Sequence, residues 1–435
     1  MKTKLSLAVA SALLAAASSA NAGIMIPAGD WTLDIGGVVN AYYTSTRHSG
    51  GGTGLALGNA TGNGTESNIT TGLLPNYLSV SGKTRQNDLD VGFTISINPG
   101  ASTVASGRQS SQQENRQAFL TFGDKAWGSI KLGKDLGIYA SDAILNDMTL
   151  LGVGSSAGFL AGNTTTLGRI GTGFMYADWK AQAAYSSPNW NGFSFTVGVT
   201  QAWNAIAANA GATLANGDVV NSGGSFNSAV SGGRGGASPA FEGKASYEWA
   251  GDFGGKVWVS GISQKVKGLS SARAGSTNAT TGVATAAIAN TVTSSSDTAD
   301  AWDIGGHVDA YGFGGTAYYG QGSGMGTTVQ LRDGFDTTGN ERDSDDWYVQ
   351  GTYTIPTVGT KLGVSYGESS LDGNTIDGFS SYSNRMWTLG AYHPITKHLN
   401  LVAEYSDVKG ELNNKTTPKA EGKARTVSLG AILFF

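Results

Sequence analysis

The sequence predicts an all-β protein, a sixteen-stranded antiparallel transmembrane barrel with short turns at one rim and long loops at the other. Three observations predict it. Apolar and polar residues alternate with a period of two in segment after segment. The connections between those segments alternate sharply in length. The composition suits a chain whose outer face is covered by something other than water. Only 14% of residues are charged, against about a quarter in an ordinary soluble domain. Glycine fills 66 of 435 positions, while proline fills only 8. No apolar run of about 20 residues follows the N-terminus, which excludes a helical membrane protein. Lys and Arg number 28 against 32 Asp and Glu; without a basic surplus, nucleic acid is not an expected partner.

The elements follow in order. Residues 1–22 read as a secretory signal peptide: Lys2 and Lys4, an apolar stretch over Leu5–Ala17, and the A-x-A site Ala20-Asn21-Ala22. Residues 23–435 then form one barrel domain. Export permits disulfides, yet the chain has no cysteine, so a closed hydrogen-bonded wall without edges is the expected source of stability. Leu89, Val91, Phe93, Ile95 and Ile97 alternate with Asp90, Gly92, Thr94 and Ser96, and Phe193–Thr200, Phe241–Trp249 and Trp347–Ile355 repeat the pattern. Successive side chains of a strand face opposite sides.

Seven short connections are expected at Arg85–Asn87, Gly123–Trp127, Pro188–Asn191, Ala250–Gly254, Phe313–Gly314, Pro356–Gly359 and Pro394–His398. Eight long ones are expected at Arg47–Asn76, Gly100–Glu114, Asp135–Arg169, Asn204–Ala240, Lys267–Asp300, Gln321–Ser344, Ser370–Ser383 and Lys409–Lys423. Fifteen connections join sixteen strands, the pattern of an outer-membrane barrel with both termini at the short-turn, periplasmic rim. Tyr42, Tyr43, Trp127, Trp190, Phe193, Trp249, Phe253, Trp347, Tyr392 and Phe435 are placed for aromatic girdles at the two interfaces. The long loops, rich in Gly, Ala, Ser and Thr, are expected to bury little.

Several segments carry a resemblance. The last strand, ARTVSLGAILFF (Ala424–Phe435), resembles the assembly signal of Gram-negative outer-membrane proteins. GAYHPITKHLNLVAEYSDV (Gly390–Val408) is similar to the late hairpin of general diffusion porins, with Pro394 and His398 departing from the usual wording. ENRQAFLTFGDKAWGSIKLGKD (Glu114–Asp135), LGRIGTGFMY (Leu167–Tyr176) and YSSPNWNGFSF (Tyr185–Phe195) resemble further porin segments, with Lys134 where the pattern closes on Arg. The resemblance implies a trimeric outer-membrane channel passing small hydrophilic solutes, in contact with lipid and lipopolysaccharide and inserted by the barrel-assembly machinery. It also implies an inward-folded third loop, about 135–169, whose acids face basic wall residues.

On that resemblance, Asp147, Asp142 and Asp135 are the constriction acids, and Arg116, Arg169 and Lys134 the constriction bases. Phe435 is the assembly signal. Two positions that often carry bases hold Gly37 and Tyr77, so the pore is expected to lean towards cations. Opposed charges across a narrow lumen focus a field that orients solutes and sets ion preference. No cofactor, metal or catalytic residue is expected. Gly154–Gly158 fits G-x-S-x-G, but Ser156 lies in a Gly/Ser loop without a strand-to-helix elbow. The four His residues lack metal spacing. Asp343, Asp345 and Asp346 could hold a divalent cation with lipopolysaccharide, but a solvated loop is the simpler reading. A substrate-selective channel on the same barrel is the first alternative; a barrel enzyme or an adhesin are weaker ones.

Overall fold

The computed structural model describes residues 23–52, 55–57, 63–101, 113–156, 165–207, 228–231, 238–273 and 288–435. The expected signal peptide, 1–22, lies outside the described residues. Among the described residues, nineteen strands form one continuous sheet. Three are short accessories: Ile24–Ala28 pairs with the start of the first wall strand, Gly64–Thr70 with its upper half, and Ala229–Ser231 with an upper wall segment. The other sixteen close the wall. They are β1 (Trp31–Ser49), β2 (Tyr77–Gln86), β3 (Leu89–Pro99), β4 (Gln113–Asp124), β5 (Gly128–Leu136), β6 (Trp179–Ser186), β7 (Phe193–Thr200) and β8 (Ala240–Trp249), then β9 (Phe253–Arg273), β10 (Ile288–Ala310), β11 (Phe313–Ser323), β12 (Asp343–Thr354), β13 (Lys361–Asp372), β14 (Phe379–Pro394), β15 (Leu399–Asn414) and β16 (Ala420–Phe434). Each strand pairs antiparallel with the next, and β16 closes on β1 from Phe434 opposite Val38 to Lys423 opposite Ser49.

The alternation read in the sequence is the alternation of the wall. Ile95, Leu120, Leu132, Val259, Val364 and Leu429 are each exposed and turn outward, where lipid covers them. The short turns fall within two residues of their expected positions. The turn between β10 and β11 is Tyr311–Gly312, both at positive φ (51° and 87°), because Phe313 already pairs with Ala310. Asn87 and Asp88 likewise have φ of 50° and 62°, the two left-handed residues a tight hairpin of matching twist requires.

Strands run further than expected at the long-loop rim. β9 reaches Arg273, β10 begins at Ile288, and β15 reaches Asn414. Ladder hydrogen bonds continue above the membrane because water tolerates polar residues on both faces. Asp343, Asp345 and Asp346 lie on β12 rather than in a loop; the pleat turns Asp346 inward, away from its two neighbours. Eight of the ten girdle aromatics are outward or at the rims. Tyr42 and Tyr392 are the exceptions, 1% and 2% exposed inside the lumen.

Candidate pore constriction

Residues between β5 and β6 turn into the barrel. Ser141–Leu145 forms one helical turn and Met148–Leu151 a 3-10 turn. Inward side chains of the wall hold this third loop. Glu242 on β8 accepts from the amides of Ile138 (2.8 Å) and Tyr139 (2.9 Å), and Ser260 on β9 from that of Ala140 (3.1 Å). The Tyr348 hydroxyl on β12 donates to the Ala143 carbonyl (2.9 Å). Gln350 accepts from the Met148 amide (2.7 Å) and donates to the Asn146 carbonyl (3.0 Å). Glu404 on β15 accepts from Val153 (2.7 Å), Gly154 (2.9 Å) and the Tyr392 hydroxyl (2.6 Å). Tyr42 on β1 donates to the Leu151 carbonyl (2.8 Å). Gly152 is required here, since a Cβ on it would lie 2.0 Å from the Glu404 carboxylate. Ser156 bonds the Thr46 hydroxyl (2.9 Å), a tie between loop and wall; Gly158 of the G-x-S-x-G pattern lies outside the described residues.

The six charged residues expected at the constriction do not meet as one group. Asp142 pairs with Lys256 (2.6 Å) and Lys244 (3.1 Å). Burial alone would raise its carboxyl, but the two ammonium groups outweigh burial and hold it below the ordinary value. Asp147 caps the 3-10 turn, accepting from the Thr149 amide (3.0 Å) and hydroxyl. Burial pushes its carboxyl up against the opposing pull of Arg169. Arg169 is itself in the loop and fully buried; it donates to the carbonyls of Met386 (3.0 Å) and Thr172 (3.1 Å) and lies over the Tyr348 ring. Asp135 accepts from Gln117 (3.0 Å) and pairs with Lys131.

Arg116 is turned inward by a bulge, because the four residues from Glu114 to Gln117 oppose the three from Ser96 to Asn98. Such an insertion re-aims a side chain. It pairs with Glu114 (2.7 Å) and is 4% exposed.

Lys134 is a correction. It opposes Ala118 on the parity of Leu132 and Leu120, the outward face, and its ammonium donates to the Asn115 carbonyl (2.8 Å). The inward base of that strand is Lys131. Gly37 is also on the outward parity, with the Phe435 ring where its side chain would stand, and both border the cavity beside the third loop. Phe435 and Gly37 exchange both backbone hydrogen bonds (2.8 and 3.1 Å), extending the β16–β1 closure by one pair.

The expectation that long loops bury little fails inside the barrel. Leu57, Leu73 and Leu74 of the first loop pack with Ile144, Leu150, Val153, Ile170 and Phe174 of the third. Met325, Leu331 and Phe335 of the sixth pack with Tyr139, Met175 and Ala205. Each fully buried side chain of this kind contributes about 1.5–3 kcal/mol. Polar ties reinforce the packing. Tyr382 donates to the Leu55 carbonyl (2.9 Å), and Lys180, buried, joins Glu242 (2.6 Å) to Gln330 (2.5 Å). Apolar residues interspersed in polar loops, as in GLALG and GLLP, were the available signal.

Among the described residues, open space lies to one side of the loop. A cavity of about 440 Å³ runs beside the third loop, lined by inward residues of β1 through β8. The opposite arc, β9 to β15 with β1, carries most of the loop's anchors.

A closed sixteen-stranded wall, apolar outside and narrowed by an inward loop, defines an outer-membrane channel protein. The sequence pattern of the Gram-negative porins matches residues 8–416, and the chain belongs to that family. It is located in the Gram-negative outer membrane and is a channel rather than an enzyme. Among solved structures it is similar to the outer membrane channel DcaP of Acinetobacter baumannii, at 15% identity and a TM-score of 0.61 over 95% of this chain and all of that one. It is also similar to OmpT of Vibrio cholerae (14%, TM-score 0.56, 94% of this chain and all of that one). The anion-selective porin of Comamonas acidovorans is a further match (14%, TM-score 0.56, 93% and all). No curated protein matches significantly.

Proposed function

We propose that this porin is a passive channel for small hydrophilic solutes, with its path along the β1–β8 side of the lumen. The carrying observation is the cavity of about 440 Å³ left beside the third loop, lined by hydroxyl and charged side chains among apolar ones. Its volume suits small solutes. Asp135 lines the path; Asp142, Asp147, Arg116 and Arg169 act by holding the loop that narrows it, being buried in its contacts. Liposomes carrying the purified protein should swell in isotonic monosaccharide and progressively more slowly as solute size grows. Swelling no faster than in protein-free liposomes would refute the proposal.

A second reading, a substrate-selective channel, is favoured by the packing of the first and sixth loops against the third. Conductance block that saturates with one solute class would establish it.

The working unit is proposed to be a homotrimer, inserted by the barrel-assembly machinery after removal of residues 1–22 and surrounded by lipopolysaccharide. OmpT of Vibrio cholerae has been solved in a trimer form. Cross-linking in mild detergent should yield trimers; monomers alone would count against it.

A further inference from the structure

We infer that the lumen selects small hydroxylated anions, and that Lys131 and Lys244 are the residues that do so. The inference rests on the passive-channel function proposed above and reverses the cation preference expected from the sequence.

Two ion pairs border the cavity, Lys131–Asp135 and Lys244–Asp142. Each is formally neutral, but its members are not equally presented. The Lys131 side chain is 32% exposed and that of Asp135 10%. The Lys244 side chain is 19% exposed and that of Asp142 2%. In both, the lysine side chain is the more exposed member of the pair and the carboxylate the more buried one. Asp142 is further neutralised by Lys256 at 2.6 Å. A passing ion therefore meets two cations before it meets their partners. An ammonium has three donors. Lys244 commits two, to Ser141 (3.0 Å) and Asp142. Lys131 donates to Asp135 and lies over the Phe119 ring. Each keeps a donor for a solute. The remaining acid on the cavity wall is Asp34; its carboxylate packs against Gly23, where a Cβ would come within 2.1 Å of it.

The rest of the wall indicates the kind of anion. Three cross-strand hydroxyl pairs line the cavity: Ser81 with Thr94 (2.9 Å), Ser186 with Thr196 (2.9 Å) and Ser194 with Ser246 (3.4 Å). A hydroxyl donates one bond and accepts two, so each pair retains capacity for a solute's own hydroxyls. Neutral donors and acceptors alongside two ammonium groups match a small hydroxylated carboxylate better than a bare inorganic ion or a cation.

Planar-bilayer recording tests this. In a KCl gradient the wild type should reverse on the anion side. Coulomb attraction across about 6 Å of water, partly screened at 0.1 M salt, corresponds to about a twofold change in ion occupancy. Lys131→Gln and Lys244→Gln should each lower the chloride-to-potassium permeability ratio about twofold, and Lys131→Arg should leave it in place. Gluconate added to one side should block the wild-type current at lower concentration than glucose, and the block should weaken in both Gln variants. Cation-directed reversal, a ratio unmoved in both variants, or equal block by glucose and gluconate overturns the inference while leaving the channel intact. Silent bilayers refute the channel itself.

Should a Gln variant fail to assemble, the cysteine-free chain offers a second route. A single Lys244→Cys, modified in the assembled channel with an anionic thiol reagent, should move reversal towards cations. A cationic reagent should restore the wild-type value. No difference between the reagents overturns the inference.

Discussion

Replacing Glu404 with Ala should loosen the third loop from the wall without opening the barrel. The carboxylate accepts three hydrogen bonds, two from the amides of Val153 and Gly154 and one from Tyr392. Hydrogen bonds to a charged group are worth about 1.5–3 kcal/mol each, a gross of about 4–9 kcal/mol. Removing the carboxylate also relieves the cost of burying it, several kcal/mol after relaxation. We take a net loss of about 2–4 kcal/mol. At about 1.4 kcal/mol per factor of ten, that lowers the ratio of docked to undocked loop by about 30- to 700-fold. The effect should stay local, because Tyr42 still holds Leu151 and Ser156 still meets Thr46. Hydrogen exchange followed by mass spectrometry should show faster exchange in peptides covering Val153 and Gly154, with the wall ladders unchanged. Single-channel records should show noisier open levels. Glu404→Gln, which can still accept from both amides, should lie between Ala and wild type. Unchanged exchange at Val153 and Gly154 in a folded Ala variant would refute the reasoning.

Three further outcomes are expected. Asp142→Asn should leave Lys244 without its carboxylate partner and Lys256 with Glu248 alone, and shift reversal potentials towards anions. Since the folded Asp142 carboxyl sits below its ordinary value of about 3.9, its contribution to loop anchoring is present above that value and lost as pH falls through the lowered one. Hydrogen exchange around residues 141–145 should rise at acid pH in the wild type and depend less on pH in the variant. Lys134→Gln should leave reversal potential and conductance unchanged, because the side chain is outside the lumen; a shift like that of Lys131→Gln would overturn its placement. Deleting Phe435, or replacing Gly37 with Leu beneath its ring, should lower the yield of heat-resistant folded protein in the outer membrane, and unchanged yield would show that the last backbone pair does not serve assembly.

The wall was legible because its two signals are local. Alternation follows from the pleat, and a tight hairpin announces itself through residues such as Asn87–Asp88. The site was less legible because parity tells which way a side chain points but not what it will find there. Glu242, Glu404 and Gln350 read as polar-face residues, and only the folded loop makes them anchors. Arg116 defeats parity altogether, since the bulge that turns it inward depends on the partner strand. Lys134 was readable: it shares the parity of Ile130 and Leu132, whereas Lys131 has the other. There the family pattern misled and the strand period was the better guide. The loop core was missed because Gly, Ser and Thr dominate composition while a few Leu, Met and Phe residues supply the buried surface.

The lopsided placement of loop and cavity divides the barrel's work between two arcs of wall. Across most of β9–β15 an inward residue is answerable to a loop partner, so exchange at Tyr348, Gln350 or Glu404 threatens the chain's architecture. Along β2–β8 many inward residues are serines and threonines that answer mainly to whatever passes. Ser-to-Thr or Ser-to-Asn exchanges there are expected to change which solutes pass while leaving the fold alone. A lineage carrying this barrel can therefore retune its diet one residue at a time, on one side, without renegotiating the plug on the other.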